Sequence, residues 1–492
     1  MQYTFSMYTV NMAEPFKSTD HPPDMLVIGA GLAGLAAANR ALELGLRVTL
    51  LERQRNRSHV CASRTNGGVF HVGFRSVTMA REELFEVIRT INEGFGDVAV
   101  ARALADNAAR SVEWLQSFGI EFTKLVPDHG WKDRVLAPVG FHDKTTMAWQ
   151  GLGADRLIDT LEERFIDGGG EVIRGRRAES LLVDGNRVRG VAFSDDAGTE
   201  HHHAAAIVLA DGGFEGNEAY IRKYITPHPE NLLLRGYASG FGDGMRMAAG
   251  IGADLTGMES FYGHLLSADS LHRQGLSPFP FLDFLASAGM LVDKAGERFV
   301  DETAGGHFAS NALARHAEGL GYVIFDHGMW EGIGRHFFSP PNPNLVDAGG
   351  TLHRADSLHQ LAHKIDIPTD RLTEQAAQLN AEVRERTGSL DDTATRARMT
   401  EYAKGRHQHE PFASAPYYAA PVCAALTSTL GGIAIDCRAR ALRKSGEFIP
   451  GLYAAGSVTG GIEGGPAVGY VGGLIKALVF GLIAAEHAAS AE

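Results

Sequence analysis

Three glycines and one carboxylate carry the first chemical signal in this chain. Gly29-Ala30-Gly31-Leu32-Ala33-Gly34 is a G-x-G-x-x-G run, and Glu52 follows Gly34 by 18 residues. In such a run the first glycine makes a tight turn, the second lets the backbone approach a pyrophosphate, and the third lets a helix pack closely on a strand. The helix N-terminus then faces the phosphates with its free N–H groups. A carboxylate about 20 residues further on accepts hydrogen bonds from a ribose 2′-hydroxyl. The elements that must position these groups are legible around them. Met25–Ile28 is an apolar run of the buried-strand kind, and Leu32–Leu44 has helix formers with apolar residues at helical spacing. Gly45 stops that helix, and Arg47–Leu51 reads as a second strand. A βαβ unit that holds no nucleotide is the competing reading; the complete, ordered set disfavours it.

Composition narrows the possibilities. The chain has 492 residues, enough for two large domains or three ordinary ones and for a core that needs no staples. Lys and Arg number 46 against 59 Asp and Glu, a formal charge of −13, which argues against nucleic acid and against an anionic membrane as partner. Cys61, Cys423 and Cys437 are too few for a disulfide framework, a four-Cys zinc site or an all-Cys iron–sulfur cluster. No metal site is expected. The opening residues lack the basic-then-apolar order of a secretory signal. The late apolar run Leu474–Ala485 is 12 residues long and holds Lys476, too short to span a bilayer. A cytoplasmic protein with a loose leader over residues 1–23 is therefore expected. Glycine accounts for 59 residues, well above the typical ~7%, with no G-X-Y period, so the glycines serve turns and close approaches to a ligand.

Further along, Asp155–Phe165 is helix-like and Glu171–Ile173 a short strand. Ala178–Val183 and Val188–Phe193 flank an Asp-Gly-Asn turn and read as a hairpin. Ala205–Ala210 is another apolar strand, running into Asp211-Gly212-Gly213-Phe214. Near the end come GLYAAGSVTGG at 451–461, a Gly-rich loop to Gly473, and an apolar helix to about His487. Two parts of one nucleotide domain bracket a central insert that holds a Pro-rich SPPNPN stretch and a polar helical region, Thr369 to Lys404. His201-His202-His203 reads as a turn beside the hairpin.

In this order the pieces resemble the FAD-binding subfamily that includes the fumarate reductase flavoproteins and the 3-ketosteroid dehydrogenases. The resemblance rests on GAGLAGLAAA at 29–38 with Glu52, the S-R-T-N-G-G run Ser63–Gly68, and ADGGFEGN at 210–217. It continues with GFGDGMRMA at 240–248, GERFVDE at 296–302, LGGIAID at 430–436 and GLYAAGSVTGG, and covers Met25 to about His487. It implies an α/β fold: a Rossmann-like FAD-binding domain (parallel sheet plus β-meander) with an inserted α+β capping domain that closes over substrate. The implied division is 24–258 and 425–492 for the FAD-binding domain and 259–424 for the cap. The positions matching the cofactor motifs are Gly29, Gly31, Gly34, Glu52, Arg53, Ser63, Asn66, Gly67, Gly68, Asp211, Gly212, Asp243, Gly456 and Ser457. With one nucleotide fingerprint and no second, a built-in NAD(P)H site is not expected.

The departures are as informative as the matches. Fumarate reductases hold a dicarboxylate with arginines and a histidine and deliver a proton from an arginine; Arg suits this because its fork matches carboxylate geometry. Here the histidine falls at Ser428, one arginine aligns near Trp330, another has no counterpart after Arg443, and the proton-relay arginine aligns at Gly306. The ketosteroid dehydrogenases pair a base tyrosine, also aligned at Gly306, with a tyrosine that polarises the substrate carbonyl, for which Tyr470 lies nearby. His307 stands next to the vacated position and is a ready proton acceptor, although a surface or helix-capping histidine is the commoner case. Tyr417 and Tyr418 are alternative acid/base groups that also suit packing. Tyr262 and His264 are candidates to line the substrate, as are Trp330 and the Arg335-His336 pair, while the N–H of Gly472 or Gly473 suits an oxyanion contact. His71 is expected near the flavin.

The resulting expectation is an FAD-dependent oxidoreductase acting on CH–CH bonds, by α,β-dehydrogenation of a cyclic ketone or keto acid. A base takes the α proton while the β hydrogen leaves as hydride to flavin N5. Electrons leave to an external acceptor: O2, a quinone or a carrier protein. Two alternatives stand beside it: reduction of an activated C=C bond, and a flavoprotein partner subunit without turnover of its own.

Overall fold

The computed structural model describes residues 22–125, 132–139, 149–195, 198–273, 275–316, 318–335, 342–387 and 408–491. Residues 1–21 of the expected leader (1–23), His336, the first half of the SPPNPN stretch and the segment from 388 to Lys404 lie outside the described residues.

A six-stranded sheet anchors the cofactor half. Its strand order is Arg440–Leu442, Phe448–Ala454, Ala206–Leu209, Met25–Ile28, Val48–Glu52 and Glu171–Arg174, all parallel except the first, edge strand. Met25 pairs with Val48 on one side and Ala206 on the other, and the strand Met25–Ile28 is buried throughout. A parallel strand covered on both faces has no solvent side, which is why its residues are continuously apolar rather than alternating. The helix Leu32–Glu43 lies on this sheet and against the C-terminal helix Gly473–Ser490. Small residues permit that close approach: a Cβ on Gly481 would meet the Ala33 carbonyl oxygen at 2.5 Å. The C-terminal helix is longer than the 12-residue apolar run suggests. At 18 residues it is long and apolar enough to cross a membrane by length and composition, yet 67% of it is buried inside the fold.

Arg177–Asp184, Arg187–Asp195 and Gly198–His203 form a three-stranded antiparallel meander. The three consecutive histidines belong to its last strand and not to a turn, with His202 packed edge-on to Phe193. The helices Arg81–Ile91 and Val98–Gln116 were not anticipated from the sequence, although the second begins at a standard cap, Asp97 accepting from the N–H groups of Ala99 and Val100.

A second sheet carries its own hydrophobic core, built from residues such as Leu265, Leu285, Leu291, Val323, Ile324 and Val422. Its spine is the strand Tyr417–Thr429, which pairs with Phe261–Ser267, Leu320–Asp326, His353–Ala355 and Leu233–Leu234. That strand runs on past 424 without interruption: Ala424 and Leu426 are part of the core shared with the cofactor half. The ladder with Phe261–Ser267 shifts register between Tyr262 and Gly263, so Tyr262 faces Ser428, Gly263 faces Leu426, and Thr427 is the extra residue of a bulge.

Candidate active site

The two halves enclose one cavity of about 820 Å³. Its two ends are built differently. At one end the glycine run turns from strand to helix. Gly29 has φ +103°, and a Cβ there would meet the Ala210 carbonyl oxygen at 2.5 Å; a Cβ on Gly34 would lie 1.9 Å from the Gly29 oxygen. No other residue fits either place. Gly31 differs. A Cβ there would meet only Ser63 Oγ, at 3.5 Å, so the space in front of it is left to a ligand. Ser63 Oγ accepts from the N–H of Leu32 at 3.0 Å, and Glu52 accepts from the N–H groups of Ala30 (3.1 Å) and Gln54 (2.8 Å), bracing the turn from beneath.

Gly29, Gly31, Glu52, Arg53, Ser63, Asn66, Gly67, Asp211, Gly212, Asp243, Gly456 and Ser457 all line this cavity. Gly34 and Gly68 sit behind it. Gly34 serves helix–strand contact, and Gly68 donates its N–H to Asn66 Oδ1, closing the turn that shapes the S-R-T-N-G-G run. Arg64 in that run is fully buried and pairs with Asp155 and Asp159, tying the turn to the helix Gly153–Asp167. Asp243 is held by the Arg177 guanidinium, and Arg53 stacks over Phe241 at 3.9 Å. Asp211 Oδ1 and Glu215 Oε2 are buried without a hydrogen-bond donor among the described residues. Burial pushes these carboxyls up, to about 6 and about 7 respectively. The open space at Gly31 and these acceptors fit FAD, whose hydroxyls supply donors.

The other end is walled by aromatic rings. Tyr262 and Tyr470 stack with centroids 3.9 Å apart, His264 stacks on Phe281 at 3.8 Å, and His71 on Phe74 at 4.8 Å. His307, second residue of the helix Gly306–Arg315, lies 4.7 Å from Tyr262 and 4.9 Å from His264, centroid to centroid. Its Nδ1 is 2.7 Å from the Gly263 carbonyl oxygen. A carbonyl only accepts, so Nδ1 carries the proton and Nε2 the lone pair in the neutral ring. Nε2 is buried with no hydrogen-bond partner among the described residues. Burial, with the neighbouring His264, brings this imidazole down to about 4; burial likewise brings His71 to about 3. Tyr470 accepts from the Gly473 N–H at 3.0 Å, and burial holds its phenol well above the ordinary range.

The loop that presents Tyr470 is fastened by Glu463, which accepts from the N–H groups of Val471 (2.9 Å) and Gly472 (3.0 Å) and pairs with buried Lys476. The Gly472 N–H is thereby engaged and does not line the cavity, contrary to the oxyanion role expected for it; Gly473 does line it. Three further expectations are corrected. Tyr418 and Trp330 stack on Phe325 in the core of the cap sheet, with the Tyr418 hydroxyl 3.2 Å from His327 Nδ1, and neither reaches the cavity. Tyr418 pairs with Phe325 near the start of the strand, whereas Thr427 and Ser428 near its end line the cavity. Arg335 is exposed and pairs with Glu331 at 2.6 Å.

Residues the sequence did not single out complete the site. Asp283 accepts from the N–H of Leu265 at 2.8 Å and lies 2.6 Å from His264 Nδ1, while His264 Nε2 lies 3.3 Å from the Tyr262 hydroxyl. Asp283 occupies the space beside Gly306, where a Cβ would meet its Cγ at 2.1 Å. The absent side chain at 306 and the carboxylate at 283 are therefore one arrangement. Burial raises Asp283 to about 6 and lowers His264 well below its usual value. Arg235 also lines this end, with Tyr262 and Phe281. A carboxylate inside the apolar run PFPFLDFL was the available signal for Asp283; for Arg235 there was little beyond a cation ending the run LLL.

Comparison with known proteins supplies the family. Residues 24–469 match the family described as FAD binding domain. The chain is 31% identical over 403 residues to the NADH:acrylate oxidoreductase of Vibrio harveyi, covering 80% of this chain but only 37% of that protein. It is 26% identical over 476 residues to the fumarate reductase (cytochrome) of Shewanella frigidimarina, covering 95% of this chain and 77% of the other. Among solved structures, the 3-ketosteroid Δ1-dehydrogenase of Sterolibacterium denitrificans, at 20% identity, superposes over 96% of this chain and 100% of its own with a TM-score of 0.70, a likeness of fold. The chain belongs to the FAD-binding flavoprotein family that includes fumarate reductases and 3-oxosteroid dehydrogenases; its cofactor is FAD and its chemistry is oxidoreduction at C=C or CH–CH bonds.

Proposed function

We propose that the protein desaturates a cyclic ketone or keto acid between the carbons α and β to the carbonyl, with His307 Nε2 as the base. The observation that carries this reading is the lone pair on His307: a tautomer fixed by Gly263, buried, on a side chain that lines the cavity, and unpartnered among the described residues. Bound FAD supplies the hydride-accepting centre. The neutral Tyr470 phenol, its oxygen already accepting from Gly473, keeps its own proton for the carbonyl oxygen on which charge develops. The stacked rings of Tyr262, Tyr470 and Phe281 suit a flat ring better than an extended dicarboxylate. Closure by the cap excludes water from the reacting carbons.

Anaerobic mixing of the flavin-loaded protein with 4-oxocyclohexanecarboxylate, cyclohexanone, a 3-ketosteroid and succinate tests the reading. Loss of the oxidised flavin's visible absorption with a ketone and not with succinate is expected. Loss with succinate alone overturns it. The flavin-independent readout is exchange of the ketone's α deuterium into water, which His307→Gln abolishes if His307 is the base.

A second reading has its own support. The chain Asp283–His264–Tyr262 ends on a phenol that burial keeps protonated, an arrangement suited to giving a proton to one carbon of an activated alkene while the other takes hydride, and the relatives named above include an NADH:acrylate oxidoreductase and a fumarate reductase. In that direction the electron donor is external. The two readings part on pH. With His307 as the proton acceptor the neutral ring is required, so activity persists above about pH 4 and falls as pH drops through it; with the Tyr262 phenol as the donor, which burial keeps protonated, no such fall near pH 4 is expected.

A further inference from the structure

The aromatic end of the cavity contains a cation that the proposed proton transfer does not use. Arg235 follows the short strand Leu233–Leu234, and its backbone N–H donates to the Leu426 oxygen at 2.8 Å. Its guanidinium is fixed at two of three nitrogens: Nε donates to the Pro278 carbonyl at 3.1 Å, and Nη1 to Thr427 Oγ1 at 2.7 Å. Phe281 and Phe279 cover it, at 4.7 and 5.5 Å from ring centroid to Cζ. Thr427 is the bulged residue of the cap strand, and the bulge is what lets both Thr427 and Ser428 line the cavity.

Two features of this arginine bear on what it binds. Among the described residues it has no carboxylate within ion-pair distance, whereas buried Arg64 and the largely buried Arg298 each have one or more. Its acceptors are neutral oxygens, which orient the guanidinium without neutralising it. Second, Nη2 donates to no described residue, although the side chain lines the cavity. The nearest acid, Asp283, is engaged by His264 and the Leu265 N–H. A guanidinium that is half-buried, oriented and not neutralised carries a cost that an anion completing it offsets.

We propose that Arg235 is an anion-binding, specificity-determining residue, and that the substrate carries a carboxylate whose oxygen meets Nη2. The inference rests on the reading of the aromatic end as the substrate site, and it narrows the class from cyclic ketones to ring compounds bearing a carboxylate. Neutral steroid-like ketones are then poor substrates for a stated reason: they leave the cation uncompensated. The recognition is pre-organised, because Thr427 and Pro278 hold the fork before substrate arrives.

The test needs no turnover. Benzoate and benzamide have nearly the same shape, and each is titrated into the flavin-loaded protein while the flavin's visible spectrum is followed. Benzoate is expected to bind roughly 10- to 100-fold tighter, the range for a charge-assisted hydrogen bond. Arg235→Gln is expected to erase that preference by weakening benzoate and leaving benzamide unchanged. Equal affinities in the unmodified protein, or a preference that survives Arg235→Gln, overturn the proposal. If Arg235→Gln fails to hold flavin, the near-isosteric Thr427→Val takes its place: freeing Nη1 is expected to lower the benzoate preference several-fold, and an unchanged preference overturns the role. Desaturation is tested separately, by loss of flavin absorption and α-deuterium exchange with 4-oxocyclohexanecarboxylate, which carries both the ketone and the carboxylate, so each proposal can fail while the other stands.

Discussion

The two ends of the cavity are made of different material. The glycine end is mostly backbone: N–H groups, a helix N-terminus, and glycines whose absent side chains are the functional feature. The aromatic end is almost wholly side chain, drawn from separate stretches around residues 71–74, 235, 262–264, 281–283, 307 and 470. Backbone recognition tolerates no side chain and accepts one ligand; side-chain recognition can be rewritten residue by residue. One family thereby keeps one cofactor and acts on different substrates.

That contrast sets the order of the expected effects. Gly34→Val is the most severe, because its Cβ would sit 1.9 Å from a backbone oxygen that cannot retreat. The expected outcome is protein that purifies without flavin or does not fold, read by the flavin-to-protein absorbance ratio and by thermal melting. An unchanged ratio would mean the turn is more pliable than its geometry allows.

Next comes His307→Gln, at the aromatic end. Flavin content is expected to be normal, with kcat lowered by roughly 10²- to 10⁴-fold, the usual worth of a positioned general base. A loss of flavin would erase the distinction between the ends. The pH profile sharpens the same point. Because burial brings His307 from 6.5 to about 4, the unmodified enzyme is expected to hold its kcat from neutrality down to near pH 5 and lose it as pH falls through about 4. A profile falling near 6.5 would indicate a solvated imidazole.

The smallest effect belongs to residues that neither end uses. Arg335→Ala is expected to change kcat/KM by less than about twofold and stability by less than about 1 kcal/mol, since its ion pair with Glu331 is half exposed. Trp330→Phe is expected to spare kcat and lower the melting temperature, because Trp330 packs in the cap core.

Legibility in the sequence followed the same division. The strand Met25–Ile28, its helix and Glu52 were readable because a local run of fewer than 30 residues contains the whole device. The aromatic end was partly readable. His307, Tyr470, Tyr262 and His264 were found by their place in the chain, and the structure brings all four together. Tyr418 and Trp330 were misplaced because position in the chain does not fix where the strand Tyr417–Thr429 and the helix His327–Glu331 pack, and both rings stack on Phe325 in the cap core. Asp283 and Arg235 were missed because their meaning depends on partners 19 and 192 residues away, His264 and Thr427.

The long cap strand has a mechanical consequence. The segments that carry the chain between the halves, Phe261–Ser267 and the end of Tyr417–Thr429 from Val422 on, are paired with each other, so the cap is cantilevered on a ribbon and not slung on two loose threads. A ribbon resists twisting and yields first where its ladder is interrupted. The interruption here is at Thr427, the residue that holds Arg235. Whatever flexing admits a substrate is therefore concentrated beside the cation proposed to greet it, and the compliance of the doorway and its selectivity are properties of the same few atoms.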